Sequence, residues 1–404
     1  MEIEDYVALE DRFAAHNYDP LDIILDRGRG AWVWDIQGRR YIDFLGGYSA
    51  VSQGHCHPRI LQAMVDQASK LPMASRAFGN AQLPLFAQEL CELARYEMML
   101  PMNTGAEAVE TALKAARKWG YSVKGVPEGK AEVITFHGNF HGRTITLVSF
   151  SSEQQYRAGY GPLTPGFRTI PFGDTEALED SLNRNTVAIL VEPIQAEGGV
   201  VVPPQGYFRQ MRGICDRDRI LLLADEIQTG LGRTGTLFAL DWEGIRPDVL
   251  ILGKALSGGF YPVSAVLADR QVLGLFSPGD HGSTFGGNPL ACAVAREALR
   301  VLVEEDLAGN ARAQGDYLLG RLARMESDLV ADVRGRGLLV GIQVRDKAGQ
   351  ARTLVSALKD QGVLCKETRG NVIRLSPPLV ITRDELEWAL ERIERVLRGD
   401  RGGS

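Results

Sequence analysis

The middle of the chain, from about residue 50 to 290, alternates short apolar runs with longer segments of helical periodicity. The apolar runs show no alternation with polar residues, which is typical of strands buried on both faces of a parallel sheet. Such strands between helices predict βαβ units and an α/β fold class. The clearest strand segments are AEVITF, AILVEP, ILLLADE and DVLILG, and the clearest helical segments are AEAVETALKAARKWGY, PQGYFRQMRGICDRD and NPLACAVAREALRVLVEEDL.

The two ends of the chain have a different pattern. Residues 1 to about 20 predict a short amphipathic helix, and GAWVWDIQGRRYIDF predicts a hairpin with its turn at DIQGRR. After about residue 300, helical segments alternate with RGRGLLVGIQV and NVIRLSPPLV and end in DELEWALERIERVL. These segments predict a smaller α+β unit that packs with the N-terminal hairpin. The expected divisions are an N-terminal segment (1–49), a large domain (50–290) and a C-terminal small domain (291–404).

Composition narrows the classes of function. The net charge of −6 gives no electrostatic reason to expect a nucleic-acid or acidic-membrane partner. Five scattered cysteines form neither a disulfide framework nor a CxxC pair, which favours a reduced, cytoplasmic location. The acidic N-terminus lacks the apolar region of a signal peptide, and no apolar stretch approaches the roughly 20 residues of a membrane span. His55-Cys56-His57 has no zinc-finger spacing, so no metal is expected.

The strongest candidate chemistry lies between Ile220 and Val266, where two apolar runs each end beside one charged residue. Asp225 follows LLLA and Lys254 follows LILG. Because ligands of open α/β sheets bind beyond the carboxyl ends of the strands, these two side chains are expected at one rim. An amine and a carboxylate there are what a pyridoxal phosphate enzyme needs: the lysine forms a Schiff base, and the carboxylate pairs with the protonated pyridine nitrogen. The alternatives are a solvated lysine and an aspartate that caps the next helix.

Two further segments carry candidate cofactor contacts. Small residues in Asn103–Glu107 precede a helix, so free N–H groups could bind phosphate, although the same pattern also fits an ordinary capping box. The segment 137–143 follows the strand AEVITF. There, Phe140 could stack on a flat ring and Arg143 could bind a substrate carboxylate, while the histidines could simply pack in a turn.

Taken together, ADEIQTGLGRTG, LGKALSGGFYPVSAVL, HGSTFGGNPL, MNTGAEAVETALKAARKWGY, VEPIQAEGGVVVP and IRLSPPLVI resemble the class III (subgroup II) pyridoxal phosphate aminotransferases of fold type I. The segment FLGGYSAVSQGHCHPRI further resembles the ornithine aminotransferase branch. The resemblance runs from about residue 20 to 395. It implies a large domain with a mostly parallel sheet, a smaller domain built from both ends of the chain, and a homodimer, with the possibility of a higher oligomer.

The resemblance also implies a role for each site residue. Lys254 would be the Schiff-base lysine and proton carrier, and Asp225 would pair with the pyridine nitrogen. The remaining cofactor contacts would be Gln228 with the ring oxygen, Phe140 with the ring face, Gly105 and Ala106 with the phosphate, and Ser283 and Thr284 with the phosphate of the other subunit. Tyr48 and Arg143 would hold the α-carboxylate of ornithine, and Arg374 that of glutamate.

The implied reaction is a ping-pong transfer of the δ-amino group of L-ornithine to 2-oxoglutarate, within proline and arginine metabolism. Ornithine reacts at its distal amine and glutamate at its α-amine, so the pocket must hold carboxylates at two distances. Arg374 would capture the ornithine carboxylate wrongly unless an ion pair with Glu197 masks it.

One position departs from the better-known ornithine enzymes, which can carry a tyrosine after SRAF where this chain has Gly79. The missing ring could admit N-acetylornithine or 4-aminobutyrate, whereas Tyr48 supplies a donor for a free α-carboxylate. An aminomutase or racemase, and a non-catalytic relative, are further alternatives. Arg374 with Glu197 argues against the first, and Lys254 with Asp225 against the second.

Overall fold

The computed structural model describes residues 2–345 and 349–399. Its strands are β1 (Leu25–Arg29), β2 (Trp32–Asp35), β3 (Arg40–Asp43), β4 (Met98–Met102), β5 (Glu132–Phe136), β6 (Phe167–Ile170), β7 (Thr186–Val191), β8 (Leu221–Asp225), β9 (Val249–Leu252), β10 (Ser264–Ala268), β11 (Val330–Arg336), β12 (Leu339–Val344), β13 (Val363–Leu364), β14 (Lys366–Thr368) and β15 (Val372–Leu375).

The helices are α1 (Ile3–Phe13), α2 (Gly46–Ser49), α3 (Pro58–Ala68), α4 (Gln82–Ala94), α5 (Gly105–Trp119), α6 (Ile145–Ser149), α7 (Gln154–Arg157), α8 (Thr175–Ser181), α9 (Tyr207–Asp218), α10 (Arg270–Leu273), α11 (Pro289–Glu304), α12 (Leu307–Ala323), α13 (Gln350–Asp360) and α14 (Arg383–Leu397). The helical segments specified from the sequence correspond to α1, α5, α9, α11 and α14, and further helices lie between them. A π-helical turn at Gly120–Lys124 extends α5, and 3₁₀ turns lie at Ala239–Glu243 and Lys254–Ser257.

A seven-stranded sheet forms the centre of the molecule, in the order β4-β10-β9-β8-β7-β5-β6. Only β10 among these strands runs against its neighbours, so the predicted mostly parallel sheet is confirmed. Successive residues of β8 point to opposite faces, and Leu221 and Leu223 lie in one apolar core while Leu222 and Ala224 lie in the other. Burial on both faces explains why this strand has an uninterrupted apolar sequence.

The structure also contains two four-stranded sheets. The predicted N-terminal hairpin is formed by β2 and β3, and β3 continues into a parallel pairing with β13, where Ile42 lies opposite Val363. The other sheet has the order β11-β12-β15-β14. The indole of Trp32 donates to Glu385 of α14 at 2.7 Å, so the hairpin contacts the last helix directly. The division at residues 49 and 290 remains a prediction.

Within residues 2–345 and 349–399, no helix combines the length and the apolar character needed to cross a membrane.

Candidate active site

Asp225 ends β8 at the carboxyl edge of the central sheet and is only 5% exposed. Its Oδ2 accepts a hydrogen bond from Nδ1 of His141 at 2.6 Å, and its Oδ1 accepts from the backbone N–H of Ile227 at 3.1 Å. The alternative considered from the sequence, a cap on the next helix, is not present, because a turn and not a helix follows β8. The carboxylate has a histidine partner as well. The sequence suggested only that His141 packs in a turn, so its contact with Asp225 became visible only in the tertiary structure.

Lys254 follows β9 and begins a 3₁₀ turn with a left-handed φ of 43°. Its Nζ donates to Oε1 of Gln228 at 2.8 Å, which places the two predicted cofactor residues in contact. Burial lowers the pKa of the Lys254 amine to about 8, although the nearby carboxylate of Glu197 opposes the shift. A lysine that loses its proton near neutral pH is suited to act as a nucleophile and a proton carrier.

Glu192 is a second buried carboxyl that sequence analysis missed. It directly follows β7 and accepts a hydrogen bond from the backbone N–H of Phe140 at 2.8 Å. Burial, reinforced by the charge of Asp225, raises its pKa well above the usual range. The signal that could have found it is the glutamate at the end of AILVEP, since a polar residue after a buried parallel strand lies at the same rim as Asp225.

The first turn of α5 supplies backbone N–H groups at this rim. Thr104 and Glu107 form the capping box that the sequence allowed: Thr104 accepts from the N–H of Glu107, and Glu107 accepts from the N–H of Thr104. The N–H groups of Gly105 and Ala106 lie too early in the helix for an intrahelical acceptor. Capping and anion binding are thus compatible, because they use different N–H groups of one helix end.

These groups enclose one cavity of about 200 Å³. Its walls contain predicted cofactor residues together with His141 and Glu192, and the lining residues are Gly105, Ala106, Phe140, His141, Gly142, Glu192, Asp225, Ile227, Gln228, Thr229 and Lys254. Within the described part of the chain, the buried Nε2 of Gln228 has no hydrogen-bond partner. These groups fit pyridoxal phosphate. The free donor of Gln228 suits the ring oxygen, the carboxylate suits the ring nitrogen, the amine suits the aldehyde, and the helix N-terminus suits the phosphate.

A second group of predicted residues surrounds an ion pair. Arg374 of β15 is 1% exposed, and its Nη1 contacts Oε1 of Glu197, whose side chain is 24% exposed. The guanidinium also lies 5.1 Å from the ring centroid of Tyr48. Burial, followed by the charge of Glu197, raises the pKa of Tyr48, which therefore keeps its hydroxyl proton as a donor. The segment that carries Glu197 contacts the loop of Phe140 and His141, because Gln195 donates to the carbonyl oxygen of His137 at 2.9 Å. The charge of Glu197 raises the pKa of the Lys254 amine and that of Arg374 lowers it.

Arg143 is exposed and rests on aromatic rings. Its guanidinium carbon lies 3.7 Å from the ring centroid of Tyr156 and 5.4 Å from that of Phe140. Stacking on a ring face leaves the edge donors of a guanidinium free for a carboxylate. Tyr156 belongs to the short helix α7, and nothing in its local sequence distinguished it as a site residue.

Three other residues singled out from the sequence do not line the cofactor cavity. Ser283 and Thr284 line a separate open cleft with Met73, Ser75 and Arg76, and Ser283 accepts a hydrogen bond from the amide of Asn103 at 2.8 Å. A phosphate role for them in another subunit stays a prediction. Gly79 is exposed, and a Cβ built on it meets nothing within 4 Å.

The histidines of His55-Cys56-His57 face different carboxylates. Nε2 of His55 lies 2.8 Å from Asp43, and Nε2 of His57 lies 3.1 Å from Glu305.

Comparison with known proteins agrees with this geometry. The Aminotransferase class-III family matches residues 13–397, and the chain belongs to this family. The chain is 56% identical to an ornithine aminotransferase of Bordetella pertussis over an alignment of 396 residues. The alignment covers 98% of this chain and 96% of that protein.

Solved structures show the same likeness. The ornithine aminotransferase from Toxoplasma gondii superposes with a TM-score of 0.97 at 46% identity and covers 99% of this chain and 96% of its own. An acetylornithine aminotransferase from Elizabethkingia anophelis gives a TM-score of 0.90, also at 46% identity, over 98% of this chain and 99% of its own. Both structures support the predicted fold class, which is confirmed.

Proposed function

We propose that this chain is a pyridoxal phosphate-dependent ornithine δ-aminotransferase. It would convert L-ornithine and 2-oxoglutarate to glutamate 5-semialdehyde, which cyclises to pyrroline-5-carboxylate, and L-glutamate. The observation that carries the proposal is the Glu197–Arg374 ion pair, on a segment that contacts the loop lining the cavity of Lys254 and Asp225. The two substrates have carboxylates at different distances from the reacting amine. An arginine that is neutralised for one substrate and available for the other allows one pocket to bind both.

When bound, the cofactor supplies an electrophilic carbonyl and a ring that accepts electrons from the substrate carbon. The protein would hold it at three places. Asp225, oriented by His141, would accept from the ring nitrogen; Gln228 would donate to the ring oxygen; and the N–H groups of α5 would bind the phosphate. Charge-assisted hydrogen bonds of this kind are stronger than neutral ones, which favours a firmly oriented ring.

The amine of Lys254 would carry the proton during transamination. Its lowered pKa, about 8, means that the neutral and charged forms are both accessible near neutral pH. A group with such a pKa can remove a proton from one atom and return it to another without a large energetic penalty in either direction.

Two sets of residues would receive the substrates. Arg143 and Tyr48 would hold the α-carboxylate of ornithine, so that the δ-amine reaches the cavity. During this half-reaction Glu197 would keep Arg374 neutralised. In the second half-reaction Glu197 would release Arg374, which would then bind the α-carboxylate of glutamate or 2-oxoglutarate.

A homodimer would complete the site, with Ser283 and Thr284 of one protomer reaching the phosphate bound by the other. Support comes from their position in an open cleft outside the cavity of their own chain. The exposed apolar residues Phe78 and Phe285, from the same two segments of chain, also favour a covered face. The free cysteines Cys56, Cys91, Cys215, Cys292 and Cys365 are consistent with the proposed cytoplasmic location.

The test is a comparison of amino donors. The purified holoenzyme is mixed in turn with L-ornithine, N-acetylornithine and 4-aminobutyrate, and the loss of the visible absorbance of the bound cofactor is followed. Ornithine should act fastest, and sustained turnover should require 2-oxoglutarate. Faster reaction with N-acetylornithine would contradict the proposed donor, and turnover without a keto acid would indicate an aminomutase or a racemase.

A further inference from the structure

The contact between Arg143 and Tyr156 points to a residue that controls donor binding. At 3.7 Å, the guanidinium carbon touches the face of the Tyr156 ring, so the two planar groups are in van der Waals contact. The rings of Phe140 and Tyr156 are 6.2 Å apart in an edge-to-face arrangement. Arg143 therefore lies against two perpendicular rings, and one of them, Phe140, lines the cofactor cavity.

An unsupported arginine on the surface samples many rotamers, and ordering it on binding costs conformational entropy. A ring under the guanidinium restricts its plane before the ligand arrives and adds a cation–π attraction. The edge N–H groups stay free because the contact uses the face. The donors of Arg143 are thus aimed by Tyr156 before any carboxylate binds.

The segment that carries Tyr156 is itself fixed to the site. Ser152 accepts from the backbone N–H of Gly138 at 2.9 Å, in the same loop that holds Phe140 and His141. Glu153, one residue before α7, forms an ion pair with Arg369. The neighbouring Thr368 donates to the carbonyl oxygen of Glu197 at 2.6 Å. Arg369, which holds the segment of Tyr156, and Thr368, which holds the backbone of Glu197, are therefore consecutive residues at the end of β14.

We infer that Tyr156 is a positioning residue that sets the affinity for the amino donor by orienting Arg143. This inference rests on the proposed function, because it takes the α-carboxylate of the donor as the ligand of Arg143. Tyr156 acts through Arg143, so its loss should weaken the binding of the donor carboxylate without slowing the proton transfer at Lys254.

The experiment measures the donor half-reaction on purified holoenzyme. The loss of cofactor absorbance at a series of L-ornithine concentrations gives two values, the half-saturating concentration and the limiting rate. Tyr156→Leu should raise the half-saturating concentration about three- to tenfold, as expected for loss of a cation–π contact and its preorganisation, and leave the limiting rate unchanged. Tyr156→Phe, which keeps the ring, should restore wild-type behaviour.

Two further variants separate positioning from general damage. Tyr160→Leu removes an exposed tyrosine four residues away and should change neither value. Combining Tyr156→Leu with Arg143→Met should be no worse than Arg143→Met alone, because two residues that act through one contact are not additive. Additive effects, an unchanged half-saturating concentration of ornithine in Tyr156→Leu, or a lowered limiting rate would each overturn the inference.

Failure of the proposed function gives a different result. In that case wild-type enzyme does not react with ornithine, and the comparison is made with N-acetylornithine, which also has an α-carboxylate. Loss of affinity for that donor in Tyr156→Leu supports the role of Tyr156, and an unchanged affinity overturns it.

Discussion

Arg374 and Glu197 form an ion pair although 177 residues separate them in the chain. One side chain projects from β15 and the other from the loop after β7, so only the tertiary structure brings the charges together. The arginine is almost completely buried and the glutamate is partly exposed. Glu197 is thus the partner that can move away without crossing the protein interior, as a reversible mask requires.

Replacing Glu197 with Ala should make the reaction less selective between the two amines of ornithine. With Arg374 permanently available, the α-carboxylate of ornithine can bind there, and the ratio of α-amine to δ-amine product should rise about tenfold, equivalent to about 1.4 kcal/mol. Product analysis by mass spectrometry measures the ratio. Glu179→Ala, which removes a surface glutamate paired with Arg217, serves as the control. An unchanged product ratio in Glu197→Ala would contradict the hypothesis that Glu197 masks Arg374.

The reactivity of Lys254 in the cofactor-free enzyme should have its midpoint near pH 8, because burial lowers the pKa of its amine to about that value. Below the midpoint the amine holds its proton and is unreactive, and above it the neutral amine attacks. Labelling with an amine-directed reagent across pH 6 to 11, followed by peptide mass spectrometry, gives the curve. Lys254→Met identifies the peptide. A midpoint near the ordinary value of 10.5 would contradict the burial argument.

The same measurement tests the charge of Glu197. Its carboxylate stabilises the protonated Lys254 amine, so Glu197→Gln should move the midpoint of the labelling curve to lower pH. A shift to higher pH, or no shift, would mean that Glu197 does not influence Lys254.

Replacing His141 with Phe should weaken cofactor binding. The phenyl ring can keep the packing against Phe150 but cannot donate to Asp225. A hydrogen bond to a charged group contributes about 1.5–3 kcal/mol, so the dissociation constant of pyridoxal phosphate from the cofactor-free enzyme should rise at least tenfold, or about 1.4 kcal/mol. Fluorescence titration measures it. His137→Ala, an exposed histidine of the same loop, should bind normally, and equal affinity of both variants would argue against the role of His141.

Introducing a tyrosine at Gly79 should narrow the choice of donor. The position is exposed and a Cβ there meets nothing within 4 Å, so the fold should accept the side chain. If Gly79 faces bound donor, the ratio of kcat/KM for ornithine to that for N-acetylornithine should rise about tenfold, within the range of pocket discrimination. Gly79→Ala, which adds only a methyl group, should change the ratio little. An unaltered ratio in the tyrosine variant would place Gly79 outside the donor pocket.

Much of the central architecture was predictable because burial on both faces leaves a local trace. The uninterrupted apolar run of β8 and its terminal Asp225 identified a parallel strand and its active edge, and the structure confirms the strand and its place in the sheet. Lys254 was predictable for the same reason, since a charged residue two positions after a buried strand lies at the rim. The roles assigned to these residues in catalysis stay predictions.

His141 and the ring of Tyr156 were not recognised, because their importance lies in contacts with residues distant in sequence. Glu192 was overlooked although it follows a buried strand as Asp225 ends one, and its contact with Phe140 could not be read from the sequence. His141 lies 84 residues from Asp225, and Glu192 lies 52 residues from Phe140. No local pattern marks such pairs, since a polar residue in a loop has the same sequence signature whether it meets water or a buried carboxylate.

The sequence by itself determined the central strands, the longer helices and the charged residues that follow the strands, because periodicity and burial are properties of short segments. The family resemblance also implied the ion pair of Glu197 with Arg374, which the structure contains. Only the tertiary structure decided the contacts of Asp225 with His141 and of Lys254 with Gln228. Electrostatic and hydrogen-bonding interactions depend on distances of a few ångströms, and those distances are set by the packing of the whole sheet and its neighbouring segments.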